Sequence, residues 1–487
     1  MKQFVSPQDM LNKFRNPHEI YTQQTDFYYD PQSDANIPKI LQQSINFFDD
    51  EISKKTKDKL IEELRQNIIR WLKLYQSVEQ EFAGELAVFG SYRFGANGKD
   101  SDIDLIILAP PQIDRELHFF QQLPSILSSN SKVTNLYCIQ EAMVPLIRFK
   151  FAGIQFDLVF ACVKKIMKPL SQSDPVDEKS SRSLNGLKVS DYFSKYCHQK
   201  SYLSFLKFIK AWAINRGIYG NVMGYLGGIS WQILTHKIFQ LYPNYSVQGL
   251  IERFFFIFSQ WKWNELPVVI QKCDEIWRNS LFEQQQKQHN VMTILTPVYP
   301  YINSAYNVSN CTFTIIEEQL KLANIIMQKI CLSELQWSDL LKKIQFFDIY
   351  YTYLQIRALS KNKDDLIQWK SHIESKLRKL NKMLDEGDVN KAIEFHLYPK
   401  SFQTDYVQGD ENDTPGSLFN FSESFFYGIR IKDEELVKEK LDIENIIRQF
   451  CDCLEGQKPY FRVPENLNLE IKSLHKDQIP KKIKSEL

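Results

Sequence analysis

In the stretch "VFGSYRFGANGKDSDIDLIILAP", Val88 to Pro110, Asp102 and Asp104 stand two residues apart at the start of an apolar run. Successive side chains of a strand alternate faces, so both carboxylates project to one side while Ile103 and Leu105 project to the other. Two like charges that close repel each other. Such a pair is tolerated at a solvated strand end, or where a bound cation supplies the missing positive charge. A third isolated charge, Asp157 in "GIQFDLVFA", sits among Phe, Leu and Val, and burying it alone is costly. If the two strands are neighbours, three carboxylates converge, and that donor set suits a pair of divalent ions about 3.5 to 4 Å apart, an arrangement used for in-line phosphoryl transfer. Oxygen-only ligation points to two Mg²⁺ or Mn²⁺ ions. Upstream, Gly90 lets backbone approach a phosphate closely and Ser91 offers a hydroxyl and an N–H. Taken alone, an Asp-x-Asp before a strand is equally a solvated turn.

The elements that must position these residues are readable from periodicity. Ile61, Leu64, Ile68, Leu72 and Tyr75 recur at helical spacing through "KDKLIEELRQNIIRWLKLY", an amphipathic helix whose apolar stripe packs on the next elements of the chain. Residues 86 to 109 read as strand, loop, strand, and "RELHFFQQLPSILSS" as a helix. "VPLIRFKFAGIQFDLVFACV" reads as a hairpin turning at Ala152-Gly153. The sum is an α/β arrangement on a mixed sheet, over residues 1–175. From 176 to 335 the texture is helical, through "YLSFLKFIKAWAINRGIY", "GGISWQILTHKIFQLY", "GLIERFFFIFSQW" and "TIIEEQLKLANIIMQKI". Residues 336–457 mix the strand-like "FFDIYYTYLQIRAL" and "SFFYGIRIK" with the helices "WKSHIESKLRKLNKMLDE" and "IENIIRQFCDCL", an order that suits one sheet under two helices. Residues 458–487 read as a mobile tail. The fold class expected is therefore multidomain α+β.

The 487 residues are 43% hydrophobic, enough for several packed cores. Sixty basic against fifty-nine acidic residues leave a net charge of +1, so any nucleic-acid contact must come from local clustering. Cys451 and Cys453 have no second pair to complete a zinc site, and reduced intracellular thiols are the expectation for the eight cysteines. No apolar run is long enough to cross a bilayer and the N-terminus carries no apolar signal core, so a soluble protein with no membrane partner is expected.

The order Gly90-Ser-Tyr-Arg-Phe-Gly, then Ser101-Asp-Ile-Asp, then the Phe156-Asp-Leu strand resembles the polymerase-beta-type nucleotidyltransferases. "SLNGLKVSDY", "IKAWAINRGIYGNVMGYLGGISW", "RFFFIFSQWKW", "ILTPVYPYINSAYNVS" and "WKSHIESKLRKL" extend the resemblance, from about residue 40 to about 455, to eukaryotic nuclear-type poly(A) polymerases. That resemblance implies a nucleotidyltransferase catalytic domain, a helical middle domain and an RRM-like RNA-binding domain. It implies a monomeric polynucleotide adenylyltransferase, adding AMP from ATP to the 3′ end of pre-mRNA in the nucleus beside cleavage and polyadenylation factors. Carried over by residue, Asp102, Asp104 and Asp157 are metal ligands and the catalytic centre. Phe89, Gly90, Ser91, Asn185, Lys210, Tyr219, Asn221, Gly228 and Ile229 are ATP contacts, and Val144, Arg148, Lys376 and Arg378 are RNA contacts.

Each residue also has a plain structural reading. Lys210 on an amphipathic helix is equally a snorkelling lysine, and Val144, Tyr219 and Ile229 equally core. The run Lys370, Lys376, Arg378, Lys379 and Lys382 is equally a solvated helix face. The sequence departs from relatives where Asn215 precedes Arg216, in a diverged segment between Trp263 and His289, and in offering only "PKKIK" as an import signal. Two other functions remain open: a relative that adds uridines or completes tRNA ends, and a catalytically silent RNA-binding scaffold.

Overall fold

Helix α1 (Glu51–Lys73) starts where the Asp50 carboxylate accepts the Ser53 amide, and it buries the stripe Ile61, Leu64, Ile68, Trp71 and Leu72. The computed structural model describes residues 48–76, 83–99, 101–270, 291–299, 301–405, 419–435, 443–455 and 466–485. The α1 stripe rests on a sheet whose strands run in the order β1 (Glu85–Phe89), β2 (Ile103–Ala109), β5 (Ile154–Lys165), β4 (Leu146–Phe151) and β3 (Val133–Ile139). The short β6 (Asp174–Pro175) pairs with β5 off that path. Only β2 and β5 run parallel; the other pairs are antiparallel, so the sheet is mixed, as expected.

Alternation along β2 and β5 decides what lies on each face. Ile103, Leu105, Ile107, Phe156, Leu158 and Phe160 face α1 and the helical stretch after Arg115. Ile106, Leu108, Val159, Ala161 and Val163 face Leu184 and Leu187 of helix α2 (Glu178–Ser194). Thus α2, which the sequence texture groups with the helical middle region, lies across the sheet. The β4–β5 hairpin turns at Ala152 and Gly153, both at positive φ (49° and 84°). That is the two-residue turn whose twist matches paired strands.

Helices α3 (Lys200–Asn215), α4 (Gly228–Leu241), α5 (Val247–Phe258) and α6 (Asn310–Cys331) enclose one large core. In it Trp212 meets Trp231 edge-on at 5.8 Å and Phe255 at 4.7 Å. Each fully buried ring contributes about 2 to 3 kcal/mol.

The third region is a second sheet, ordered β11 (Leu467–His475), β7 (Thr352–Ser360), β10 (Phe421–Ile431), β8 (Ile393–Leu397), with β9 (Phe402–Asp405) also on β10. Helices α7 (Lys363–Leu384) and α8 (Ile443–Glu455) cover the face made by Ile356, Ala358, Phe425 and Tyr427. Two expectations are corrected here. Phe346–Ile349 is a helical turn burying Phe346 and Phe347, and the strand begins only at Thr352. The expected mobile tail is, from 466 to 485, an ordered part of this region. Leu467, Leu469 and Ile471 alternate onto the helix-covered face, and Ile479 and Ile483 are buried against the other. No described helix is long and apolar enough to cross a membrane.

Candidate active site

The parallel pairing of β2 with β5 sets Asp104 directly opposite Asp157, and β4 sets Arg148 opposite Asp157 in turn. Directly paired residues share a face, so Asp104, Asp157 and Arg148 form a row across the α2 side of the sheet, beyond the last apolar residues of that face. Asp102 lies just before β2. Burial is the first cause that raises the Asp102 carboxyl above its usual range, and the Asp157 charge adds to it. Burial also pushes Asp104 up strongly, with Asp102 and Asp157 raising it further and Arg148 and Lys210 opposing. The three carboxylates therefore feel one another.

Asp157 is the one already neutralised. Arg148 Nε donates to Oδ1 at 2.8 Å and its terminal nitrogen to Oδ2 at 2.6 Å, a bidentate pair. Among the described residues no three acidic, histidine or cysteine side chains stand close enough to hold a metal ion as they are. At this site the Arg148 fork faces both Asp157 oxygens. The Asp104 carboxylate has no hydrogen-bond or ion-pair partner among the described residues.

The glycine before the aspartates is held against them. Gly90 sits at φ +68°, and a Cβ there would lie 1.9 Å from Asp104 Oδ2. Only glycine fits, sterically and conformationally. The Gly90 amide donates to Ser190 Oγ of α2 at 2.8 Å, so this N–H is engaged within the protein while Ser91 remains half-buried at the turn. Arg93, on the same turn, pairs with Asp191. Phe89 packs so tightly on α2 that a Cβ on Gly186 would lie 2.7 Å from its ring. Ahead of Asp102, buried Lys57 of α1 donates to Asp49 and to the Lys99 carbonyl, both at 2.9 Å, pinning the loop.

Across from the row stand groups of the helical region. Lys210 is 3% exposed and donates to the Ala96 carbonyl at 3.0 Å. Burial lowers its pKa to about 8 against the pull of Asp104. A Cβ on Gly228 would lie 2.7 Å from the Tyr219 hydroxyl and 3.8 Å from Lys210 Nζ, so these three are neighbours. The Tyr219 phenol is raised by burial and by Asp102 and Asp104. Asn221 follows two residues on, with its Oδ1 buried and without a hydrogen-bond partner among the described residues. Asn185 of α2 donates to the Val298 carbonyl at 3.4 Å. Ile229 packs at the edge of the helical core and Val144 at the edge of the apolar α2-side cluster.

Of the residues expected to meet RNA, Arg148 lies in the carboxylate row, while Lys376 and Arg378 lie on α7. Burial, with Lys379 and Arg378, lowers the Lys376 pKa. Arg378 donates to Asn307 Oδ1 at 3.0 Å. Helix α7 nonetheless borders the site, since Arg148 and the α7 carboxylate Glu374 influence each other.

Sequence reasoning missed Lys57, Gly186 and Ser190. Lys57 falls on the α1 stripe one turn before Ile61, and Ser190 extends the Ser183–Leu187 face of α2. A polar residue on a buried stripe was the available signal.

Three family models match successive stretches of the chain. Residues 39–195 match the poly(A) polymerase nucleotidyltransferase domain, 201–343 the poly(A) polymerase central domain, and 345–418 the poly(A) polymerase predicted RNA binding domain. The poly(A) polymerase pla1 of Schizosaccharomyces pombe is 33% identical over 389 residues, covering 76% of this chain and 68% of its own length. The poly(A) polymerase of Dictyostelium discoideum is 31% identical over 464 residues, 91% of this chain and 56% of its own. Nuclear poly(A) polymerase 4 of Arabidopsis thaliana is 36% identical over 328 residues, 64% of this chain and 44% of its own. The chain spans about half the length of several of these curated relatives.

Proposed function

Because this chain belongs to the poly(A) polymerase family, we propose that it adds AMP from ATP, without a template, to RNA 3′ ends and releases pyrophosphate. The observation that carries the reading is the row Asp104–Asp157–Arg148, closed on one side by Gly90 and faced by Lys210 and Tyr219. One side of this cleft is acidic and the other offers a cation and hydroxyls, which is the polarity that a triphosphate lying over metal-binding carboxylates requires.

The donor set fits divalent cations: hard oxygens, an Asp104 with no described partner, and raised carboxyl pKa values that signal missing positive charge. Two Mg²⁺ or Mn²⁺ ions on Asp102, Asp104 and Asp157 would supply the charge that acidifies the RNA 3′-hydroxyl and neutralises the departing pyrophosphate. The protein's own part is positional. With the Gly90 amide engaged by Ser190, the Ser91 hydroxyl and amide are what this turn offers a phosphate. Lys210 uses one of its three donors on Ala96 and directs charge toward the same place, with the Tyr219 hydroxyl beside it. Asn221 and Asn185 supply polar contacts to the nucleotide, Phe89, Gly228 and Ile229 its walls, and Val144 an apolar surface for a primer base. Arg148, which would be released from Asp157 were that carboxylate to hold a cation, is a guanidinium at hand for a primer phosphate. Lys376 adds charge along α7.

The relatives named as nuclear poly(A) polymerases support a nuclear place of action. A pre-mRNA substrate, recruitment by cleavage and polyadenylation factors and action as a monomer extend the proposal on the sequence resemblance. The test is incorporation of ATP, UTP, CTP and GTP on a short oligo(A) primer with Mg²⁺. ATP is expected to be used best, with pyrophosphate released once per addition. Preferential use of UTP or CTP, or no extension at all, would overturn the reading.

A further inference from the structure

The turn that carries Asn221 is held from outside itself. Asn307 Nδ2 donates to the Asn221 carbonyl at 3.0 Å, and Asn381 Nδ2 donates to the Met223 carbonyl at 3.0 Å. Both asparagines are buried, and both have their amides oriented by the C-terminal region. Asn381 lies on α7 and its Oδ1 accepts the Tyr427 hydroxyl of β10 at 2.7 Å. Asn307 precedes α6, and its Oδ1 accepts Arg378 of α7 at 3.0 Å. An amide whose oxygen is already bonded to a donor has its NH₂ direction fixed, so each asparagine is locked with its nitrogen toward the turn. Packing leaves no slack. Gly224 is at φ +88°, and a Cβ there would lie 2.9 Å from Asn381 Nδ2 and 3.3 Å from the Asn307 carbonyl. Beside these satisfied groups Asn221 Oδ1 is buried and accepts no hydrogen bond from the described residues. A buried acceptor without a donor is costly unless a ligand supplies one.

We infer that Arg378, through Asn307, and Asn381 are positioning residues for nucleotide recognition: α7 of the C-terminal region holds the 221–223 turn so that Asn221 Oδ1 meets an amino group of the incoming base. This rests on the proposed polymerase function and refines one of its contacts, since Arg378 then acts on the nucleotide and not on RNA phosphate. Its consequence is that the RNA-side helix and base selection share one scaffold. A base with a carbonyl where adenine has its amino group sets two acceptors face to face, so guanine is disfavoured.

The experiment compares the full chain with its Arg378→Ala and Asn307→Asp variants, using ATP and GTP on an oligo(A) primer. Asn307→Asp keeps an acceptor for Arg378, now as an ion pair, and replaces the donor to Asn221 by an oxygen that faces its carbonyl. Each variant is expected to raise the ATP KM about fivefold and to lower the ATP-over-GTP preference about as much, the value of one hydrogen bond. The oligo(A) KM and its salt dependence should not change. An Arg378→Ala variant with a raised oligo(A) KM, a salt slope shallower by about one, and wild-type ATP behaviour would assign Arg378 to RNA phosphate and overturn the inference. So would variants that melt earlier or turn over more slowly with the ATP-over-GTP preference intact, because a merely structural role leaves that ratio alone. Wild-type protein that adds no AMP removes the function reading before any variant is compared, and this inference falls with it; wild-type tailing with indifferent variants removes this inference only.

Discussion

The carboxylate cleft and the seam between the helical and C-terminal regions are both rich in buried polar groups, and they treat them in opposite ways. At the seam buried polar groups are largely paired with one another. Asp385 takes the Asn310 and Cys311 amides at the start of α6, Tyr225 donates to the Leu397 carbonyl, and Arg430 bridges to Glu318. In the cleft Asp102 and Asp104 stand side by side with raised carboxyl pKa values, and Asp157 is paired with Arg148. Satisfied polar groups fix position, whereas frustrated charge marks the place where a ligand belongs. The seam behaves as scaffold and the cleft as site.

That contrast can be broken by substitution. The largest effect is expected at the tightest point of the cleft. Gly90→Ala puts a methyl group into the Asp104 carboxylate and a side chain at φ +68°, so AMP incorporation should drop by about two to three orders of magnitude. Loss of folding stability should be only about 1 to 2 kcal/mol by denaturant titration. A variant of near-normal turnover would show that the turn has room to give. At the seam the balance reverses. Asn381→Ala leaves the Met223 carbonyl and the Tyr427 hydroxyl buried without partners, and should cost about 2 to 4 kcal/mol while ATP incorporation on stably folded protein falls by less than about tenfold. Unchanged melting would show that the seam is not the scaffold.

The smallest effect concerns protonation. Burial depresses the Lys210 pKa to about 8, so its charge is present below that pH and lost as the pH rises through it. The ATP KM should therefore be flat below pH 8 and climb several-fold, on the order of tenfold per unit at the limit, above it. Lys210→Met should give a raised and flat profile. A wild-type KM that stays level well above the Lys210 pKa would take this lysine off the phosphates.

Much of the cleft is legible in the sequence because its logic is local. Alternation puts Asp102 and Asp104 on one side, and the Ala152-Gly153 turn sets β5 back beside β4 with Asp157 among apolar neighbours. The hidden part depends on partners far along the chain. Arg148 can be matched to Asp157 only once the β4–β5 register is known, and Ser190 meets Gly90 across one hundred positions. The strand β11 reads as a tail because its alternating Leu467, Leu469 and Ile471 look unremarkable until β7 is seen to need an outer neighbour. Arg378 reads as an RNA contact by its charge, and charge alone does not distinguish a phosphate contact from a bond to Asn307.

The most direct measurement is a pair of readings on one variant, Asp104→Asn, made with the full chain. If Asp104 is a charge kept in an unfavourable place for the sake of catalysis, removing it relieves repulsion with Asp102 and Asp157. The variant should then melt a few degrees higher than wild type in chelator while ATP incorporation on oligo(A) falls by about three orders of magnitude or more. A variant that still extends RNA within about tenfold of the wild-type rate, or that melts lower in chelator, would contradict the assignment of the cleft as the catalytic centre.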